Sequence, residues 1–206
     1  MNISRKIAIA LCVVPLSLSV NTSYSASCSP GGYANSFSSG TGFEISWDVC
    51  AGNLLQMEIS NTSTGWIGIG FSFDQLMANT DVFLGGFDGG AYGYDGFAFD
   101  GFSGPPVDAS QDFTIESSTE VGGTTTMELS RLLSTGDIND FDLSIGEYYL
   151  LWAFGGLDDF AFHGVGDGRG FSAETYSFAA VPVPPALPLM LFGLGFFGFM
   201  GFHNRK

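Results

Sequence analysis

The feature that most limits what this chain can become is a period of two. Apolar residues alternate with polar ones in FEISWDV (Phe43, Ile45, Trp47, Val49), in LLQMEIS (Leu55, Met57, Ile59), and again in DFTIESS, TTTMELS and EYYLLWAF, with Gly, Asn, Asp and Ser between the runs. Residues two apart share one face of a strand, so each run reads as a strand with one face buried. No stretch carries a sustained helical period, and only RLLS, beginning at Arg131, reads as a brief helical turn. Residues 43–180 are therefore expected to form one all-β domain, an immunoglobulin-like antiparallel β-sandwich of about nine strands with its aromatic faces inward.

Two stretches within that domain stand out. Residues 65–86, GWIGIGFSFDQLMANTDVFLGG, read as a strand (Trp66, Ile67, Ile69, Phe71), a loop carrying Met77, and a second strand from Asp81 to Leu84. Downstream, LLWAFGGLDDFAFHGVGDGRG sets His163 in a loop just past a strand that ends near Ala153. A neutral imidazole and a thioether are a recognised pair of haem-iron ligands. Met equally fills gaps in a core, and a single His equally makes an ordinary hydrogen bond.

The ends differ in composition from the middle. Residues 1–25 have a basic start (Arg5, Lys6), an apolar run broken by Pro15 and a small polar stretch, the layout of a secretory signal peptide. Cleavage near Ser25 removes Cys12 and leaves a Gly/Ser-rich arm, residues 26–42, with Cys28 and Cys50 as the remaining cysteines. Two cysteines in an oxidising compartment form one disulfide, which stabilises by about 3 kcal/mol for a loop of this size. They form no CxxCH site, so any haem is held non-covalently. Residues 181–206 begin with a Pro-rich joint, continue as an uncharged run and end in Arg205 and Lys206. The run is long enough to enter a bilayer but short for a span of about 20 residues. Each end of the precursor is thus expected to be an apolar helix. This tail resembles the PEP-CTERM sorting signals of Gram-negative bacteria, in the variant with a VPxPxA-like core. The resemblance implies an exosortase-type sorting enzyme as a partner and membrane contact at least until the anchor is cut away; an uncut anchor is the alternative.

Charge narrows the partners. All 21 acids lie between Glu44 and Glu174, where Arg131 and Arg169 are the only basic residues, a net charge of −19. Nucleic acid is excluded, and a partner with a cationic surface is favoured. Residues 85–106 are dense in Gly, Asp and aromatics. They read as a hairpin with Gly-rich turns, since Asp-Gly pairs are ordinary turn chemistry. Asp88, Asp95 and Asp100 are too widely spread for a calcium loop of the EF-hand kind. The aromatics Tyr92, Tyr94 and Phe97, with Phe87 and Phe99, are candidates for a sugar-binding platform.

GWIGIGFS, a methionine shortly before Thr80-Asp81-Val82, RLLSTGD from Arg131, and LLWAFG followed by His163 and Arg169-Gly170 together resemble the DOMON domain. Within it they are most similar to the b-type cytochrome branch typified by the cytochrome module of cellobiose dehydrogenase. The resemblance covers most of residues 43–178. It implies that Met77 and His163 clamp one haem b as axial ligands, and that the protein transfers single electrons to a redox partner, because two filled axial positions leave no open site for catalysis at the iron. Arg169 is then placed to meet a haem propionate or to pair with Asp158, Asp159 or Asp167. Arg131 occupies a structural position and is expected in an internal salt bridge. The chain is not expected to be an enzyme, since abundant acids nominate no carboxylate pair and the one exported histidine is already assigned. It is expected outside the cytoplasmic membrane, in the periplasm, on the surface or in the matrix of a Gram-negative cell. Alternatives are a polysaccharide- or sugar-binding module without redox activity and a structural surface protein.

Overall fold

A computed structural model describes Cys28 and residues 32–51, 53–163 and 166–179 of the chain. The expected signal peptide and the tail from 181 onward lie outside the described residues. Ten strands are present among the described residues: β1 (Asn35–Ser38), β2 (Phe43–Cys50), β3 (Leu54–Asn61), β4 (Ile67–Ser72), β5 (Thr80–Phe87), β6 (Ala91–Ala98), β7 (Thr114–Val121), β8 (Thr124–Leu132), β9 (Tyr148–Phe154) and β10 (Arg169–Tyr176). They form two five-stranded antiparallel sheets, ordered β1-β2-β3-β8-β7 and β10-β9-β4-β5-β6.

The period-two pattern explains how the sheets face each other. Phe43, Ile45 and Trp47 of β2, Leu55, Met57 and Ile59 of β3, and Met127 and Leu129 of β8 turn inward from the first sheet. They meet Ile67, Ile69 and Phe71 of β4 and Tyr148, Leu150 and Trp152 of β9 from the second. Full burial of such side chains contributes about 1.5–3 kcal/mol each. Rings lock the layers together, as where Phe43 stacks on Trp152 with centroids 5.7 Å apart. Between β7 and β8 the turn is Gly122-Gly123, with φ of 63° and 82°. Two consecutive positive φ values match the two-residue hairpin whose twist suits antiparallel strands, and glycine adopts them without strain.

Two features depart from the expectations. The Gly/Ser-rich arm contributes an edge strand, β1, registered on β2 from Asn35 opposite Trp47 to Ser38 opposite Glu44. The expected disulfide is present, joining Cys28 to Cys50 with Cα atoms 5.4 Å apart, so the arm is tied to the far end of β2. RLLS, read as a helical turn, is instead the end of β8: Arg131 pairs with Leu55 in the ladder, and the Leu133 N–H donates to the Asn53 carbonyl at 2.8 Å. The alternation that buries Met127 and Leu129 continues through Arg131, which is only 2% exposed. An internal ion pair, rather than local helical preference, decides the conformation there.

Candidate functional site

All six residues of β4 are buried, although only alternate residues face the core. Ile67, Ile69 and Phe71 are in the core cluster. The other face of β4, bearing Gly68 and Gly70, is covered instead by loops, and between sheet and loops lies a cavity of about 790 Å³. That is within the range of small-molecule and cofactor sites. Gly68 and Gly70 form its floor, with Val82 and Leu84 of β5 and Leu151 and Ala153 of β9 beside them. The floor is flat because there is no room for side chains there. A Cβ at Gly70 would lie 2.7 Å from Thr80 Cγ2, and one at Gly68 would lie 3.1 Å from the Phe83 carbonyl oxygen.

Met77 and His163 both line this cavity. Strand register shows that they come from opposite ends of β4. Phe71 pairs with Asp81, so the β4–β5 loop with Met77 leaves one end, while Ile67 pairs with Phe154, so the β9–β10 loop with His163 leaves the other. Each loop is fastened. The Leu76 carbonyl accepts from Ser72 Oγ at 3.2 Å and Thr80 Oγ1 at 3.0 Å. Asp74 Oδ1 accepts the Leu76 N–H at 3.0 Å, and Gln75 Nε2 donates to the Ser172 carbonyl of β10 at 3.1 Å. Asn79, at φ 56°, then turns the chain into β5 through a left-handed conformation that Asn tolerates better than most residues. On the other side, the Phe154 N–H donates to the Gly168 carbonyl at 2.9 Å, closing the base of the loop. Gly168 packs so tightly on the His163 carbonyl that a Cβ there would collide with it. Trp66, 2% exposed, is fixed through its backbone to Gly155 and Leu157 and places its indole 6.5 Å from the His163 ring.

The lining is electrostatically unlike the rest of the molecule. Among the described residues it contains no carboxylate and one cation, Arg169, at the start of β10. Among the described residues, Arg169 forms no salt bridge with Asp158, Asp159 or Asp167.

Arg131 is far from free. Its Nη1 donates to Asp81 Oδ2 at 2.7 Å, Nη2 lies 3.5 Å from Asp140 Oδ2 and donates to the Phe141 carbonyl at 3.1 Å, and its guanidinium lies 5.0 Å from the centre of the Phe113 ring. This is the internal salt bridge expected of it. Asp81, Asp95 and Asp140 converge until their carboxylate oxygens lie within 4.8 Å of one another. Burial pushes Asp95 up to about 8 and Asp81 up to about 6, the latter against the opposing pull of Arg131. Asp95 carried no local sequence signal for this role, because only the pairing of β5 with β6 brings it beside Asp81.

The aromatic candidates do not form one platform. Residues 85–106 are largely the β5–β6 hairpin, as expected. Tyr92 and Tyr94 share one face of β6 and meet Phe160 edge-on, at centroid distances of 5.4 and 5.0 Å. Phe97 projects from the opposite face of that strand, against Phe141 at 5.8 Å.

Residues 39–155, more than half of the 206-residue chain, match the family profile described as DOMON domain. Over 103 residues the chain is 28% identical to DBH-like monooxygenase protein 1 of Homo sapiens and 29% identical to that of Mus musculus. These matches cover 50% of this chain and 17% of the relatives' length. Similar solved structures include the cytochrome b domain of pyranose dehydrogenase from Coprinopsis cinerea, 21% identical with a TM-score of 0.42 over 56% of this chain and 63% of that one. Another is the cytochrome domain of Myriococcum thermophilum cellobiose dehydrogenase, 17% identical with a TM-score of 0.49 over 69% and 79%. On the family match, carried by a two-sheet antiparallel sandwich, the chain belongs to the DOMON domain family.

Proposed function

We propose that this protein binds one haem b in the cavity over β4 and passes single electrons outside the cytoplasmic membrane, without being an enzyme. One observation carries the reading: in a domain of 21 acids, a thioether, an imidazole and one guanidinium share a cavity whose lining, among the described residues, has no carboxylate. That donor set suits a flat apolar group with a metal at its centre and anionic substituents at its edge. Met77 and His163 would hold the haem iron, and Arg169 would pair with a propionate. Bound there, the haem supplies a one-electron couple. The chain's own residues do the remaining work. Gly68 and Gly70 give a flat surface, Val82, Leu84 and Leu151 exclude water, and the fastened loops hold sulfur and imidazole in place, so that little rearranges when charge changes.

The disulfide supports an oxidising compartment. Residues 1–25 are the export signal, and residues 181–206 are sorted by an exosortase-type enzyme, leaving the domain in the periplasm, on the surface or in the matrix of a Gram-negative cell. Its redox partner is a protein with a cationic surface. The sugar-binding alternative is weakened by the opposed faces of Tyr94 and Phe97.

Haemin titration of the purified apoprotein tests the proposal. Uptake is expected to saturate at one haem per chain and to quench fluorescence of the adjacent Trp66. A folded protein that takes up no haemin overturns it.

A further inference from the structure

The mouth of the cavity carries a surface that haem binding alone does not require. Four large apolar side chains stand around it with much of their area in water: Phe102 is 100% exposed, Phe162 72%, Leu76 62% and Phe171 52%. They come from three separate loops and from β10, so no single loop's sequence accounts for the patch. Apolar side chains gathered at one place on a surface mark a site of association. Outside this lip, the same loops carry the exposed acids Asp74, Asp100, Asp159 and Asp167. Asp100 is held below the usual carboxylate range by hydrogen bonds from the backbone N–H groups of Ser103 and Phe102, so its charge persists in mild acid. Among the described residues, Arg169 is the one cation in the cavity lining.

We infer that this lip is the docking surface for a basic electron-carrier protein, one that presents an apolar contact area ringed by lysine or arginine. The inference rests on the electron-transfer reading of the cavity. An apolar patch on loops that also carry exposed carboxylates fits that partner, because the charges steer and orient the encounter while the apolar contact holds it. The net charge of −15 for the full chain repels both a second copy of the chain and an anionic lipid surface.

Binding of the purified full chain to an immobilised basic c-type cytochrome tests this, with an acidic blue-copper protein as counter-probe, and with and without bound haem. Binding to the basic probe is expected to weaken about tenfold or more between low and high salt, and to be negligible for the acidic probe. Phe102→Ser with Phe171→Ser should weaken it about tenfold, as should Asp159→Asn with Asp167→Asn, whereas Val121→Ser, exposed on the other sheet, should leave it unchanged. All these positions are exposed, and each variant's haem spectrum checks that the cavity is intact. Equal binding by lip variants and wild type overturns the inference, as does equal affinity for the acidic carrier, self-association through the lip, or capture by anionic vesicles. A protein without a haem spectrum that still binds the basic probe through the lip removes the electron-transfer reading but not the surface.

Discussion

At the scale of single residues, the two proposed ligands have unequal roles. Imidazole is the stronger ligand for iron, while the thioether tunes potential and completes the coordination. His163→Ala is expected to lose most haem, and Met77→His to keep it, with a bis-imidazole spectrum and a lower midpoint potential. An unchanged spectrum in His163→Ala would place the iron elsewhere. Neither change touches the core, so circular dichroism should not alter. A second expectation follows from the buried acids. Asp95 at about 8 and Asp81 at about 6 both lie above an ordinary carboxyl, so between about pH 4 and pH 8 the folded protein holds protons that the unfolded chain has released. Their contribution to stability is therefore fully present below the ordinary carboxyl range and is lost as pH rises through the folded values. Denaturant unfolding should show stability falling by about 1 kcal/mol or more from mildly acidic to mildly alkaline pH, and Asp95→Asn should flatten that fall. A stability that rises over the same window contradicts the assignment. Met77 and His163 were singled out by the resemblance to the DOMON domain rather than by their loops alone, and the fold brings both to the lining of one cavity. The buried acid cluster was not, since Asp95 between Tyr94 and Gly96 reads as turn chemistry, Asp81 reads only as the start of a strand, and sheet pairing alone brings the two together.

Among the elements, β4 matters most, because its two faces serve different ends. Ile67, Ile69 and Phe71 hold the sandwich, and the intervening glycines make the floor of the site. Gly70→Val adds a branched side chain where even a Cβ would be 2.7 Å from Thr80 Cγ2. It is expected to lower haem occupancy and to cost about 1–3 kcal/mol through overpacking, read by haemin titration and denaturant midpoint. Full occupancy in that variant would show that the floor lies elsewhere. The GWIGIGFS pattern carried this strand plainly, since apolar residues and glycines alternate in it. The strand β1 was hidden because NSFS has a single large apolar residue and its pairing rests on backbone bonds along an edge. The end of β8 was misread for a related reason: Arg131 breaks the apolar series in the sequence, yet in the fold it continues the inward face, where Asp81 and Asp140 compensate its charge. Removing that compensation by Arg131→Ala would leave buried carboxylates unpaired, the kind of change that costs about 3–5 kcal/mol.

The molecule as a whole joins a strongly acidic composition to a cavity whose lining, among the described residues, has no carboxylate. The fold class followed from strand periodicity, and the cavity required knowing which loops meet over β4, a long-range fact of topology. The measurement closest to the central claim is the visible spectrum of the full protein purified from a haem-sufficient periplasm, recorded oxidised and after dithionite. A red protein is expected, with a low-spin, six-coordinate b-type spectrum that sharpens on reduction and is lost in His163→Ala. A colourless protein, folded by circular dichroism and unable to take up haemin, would contradict it.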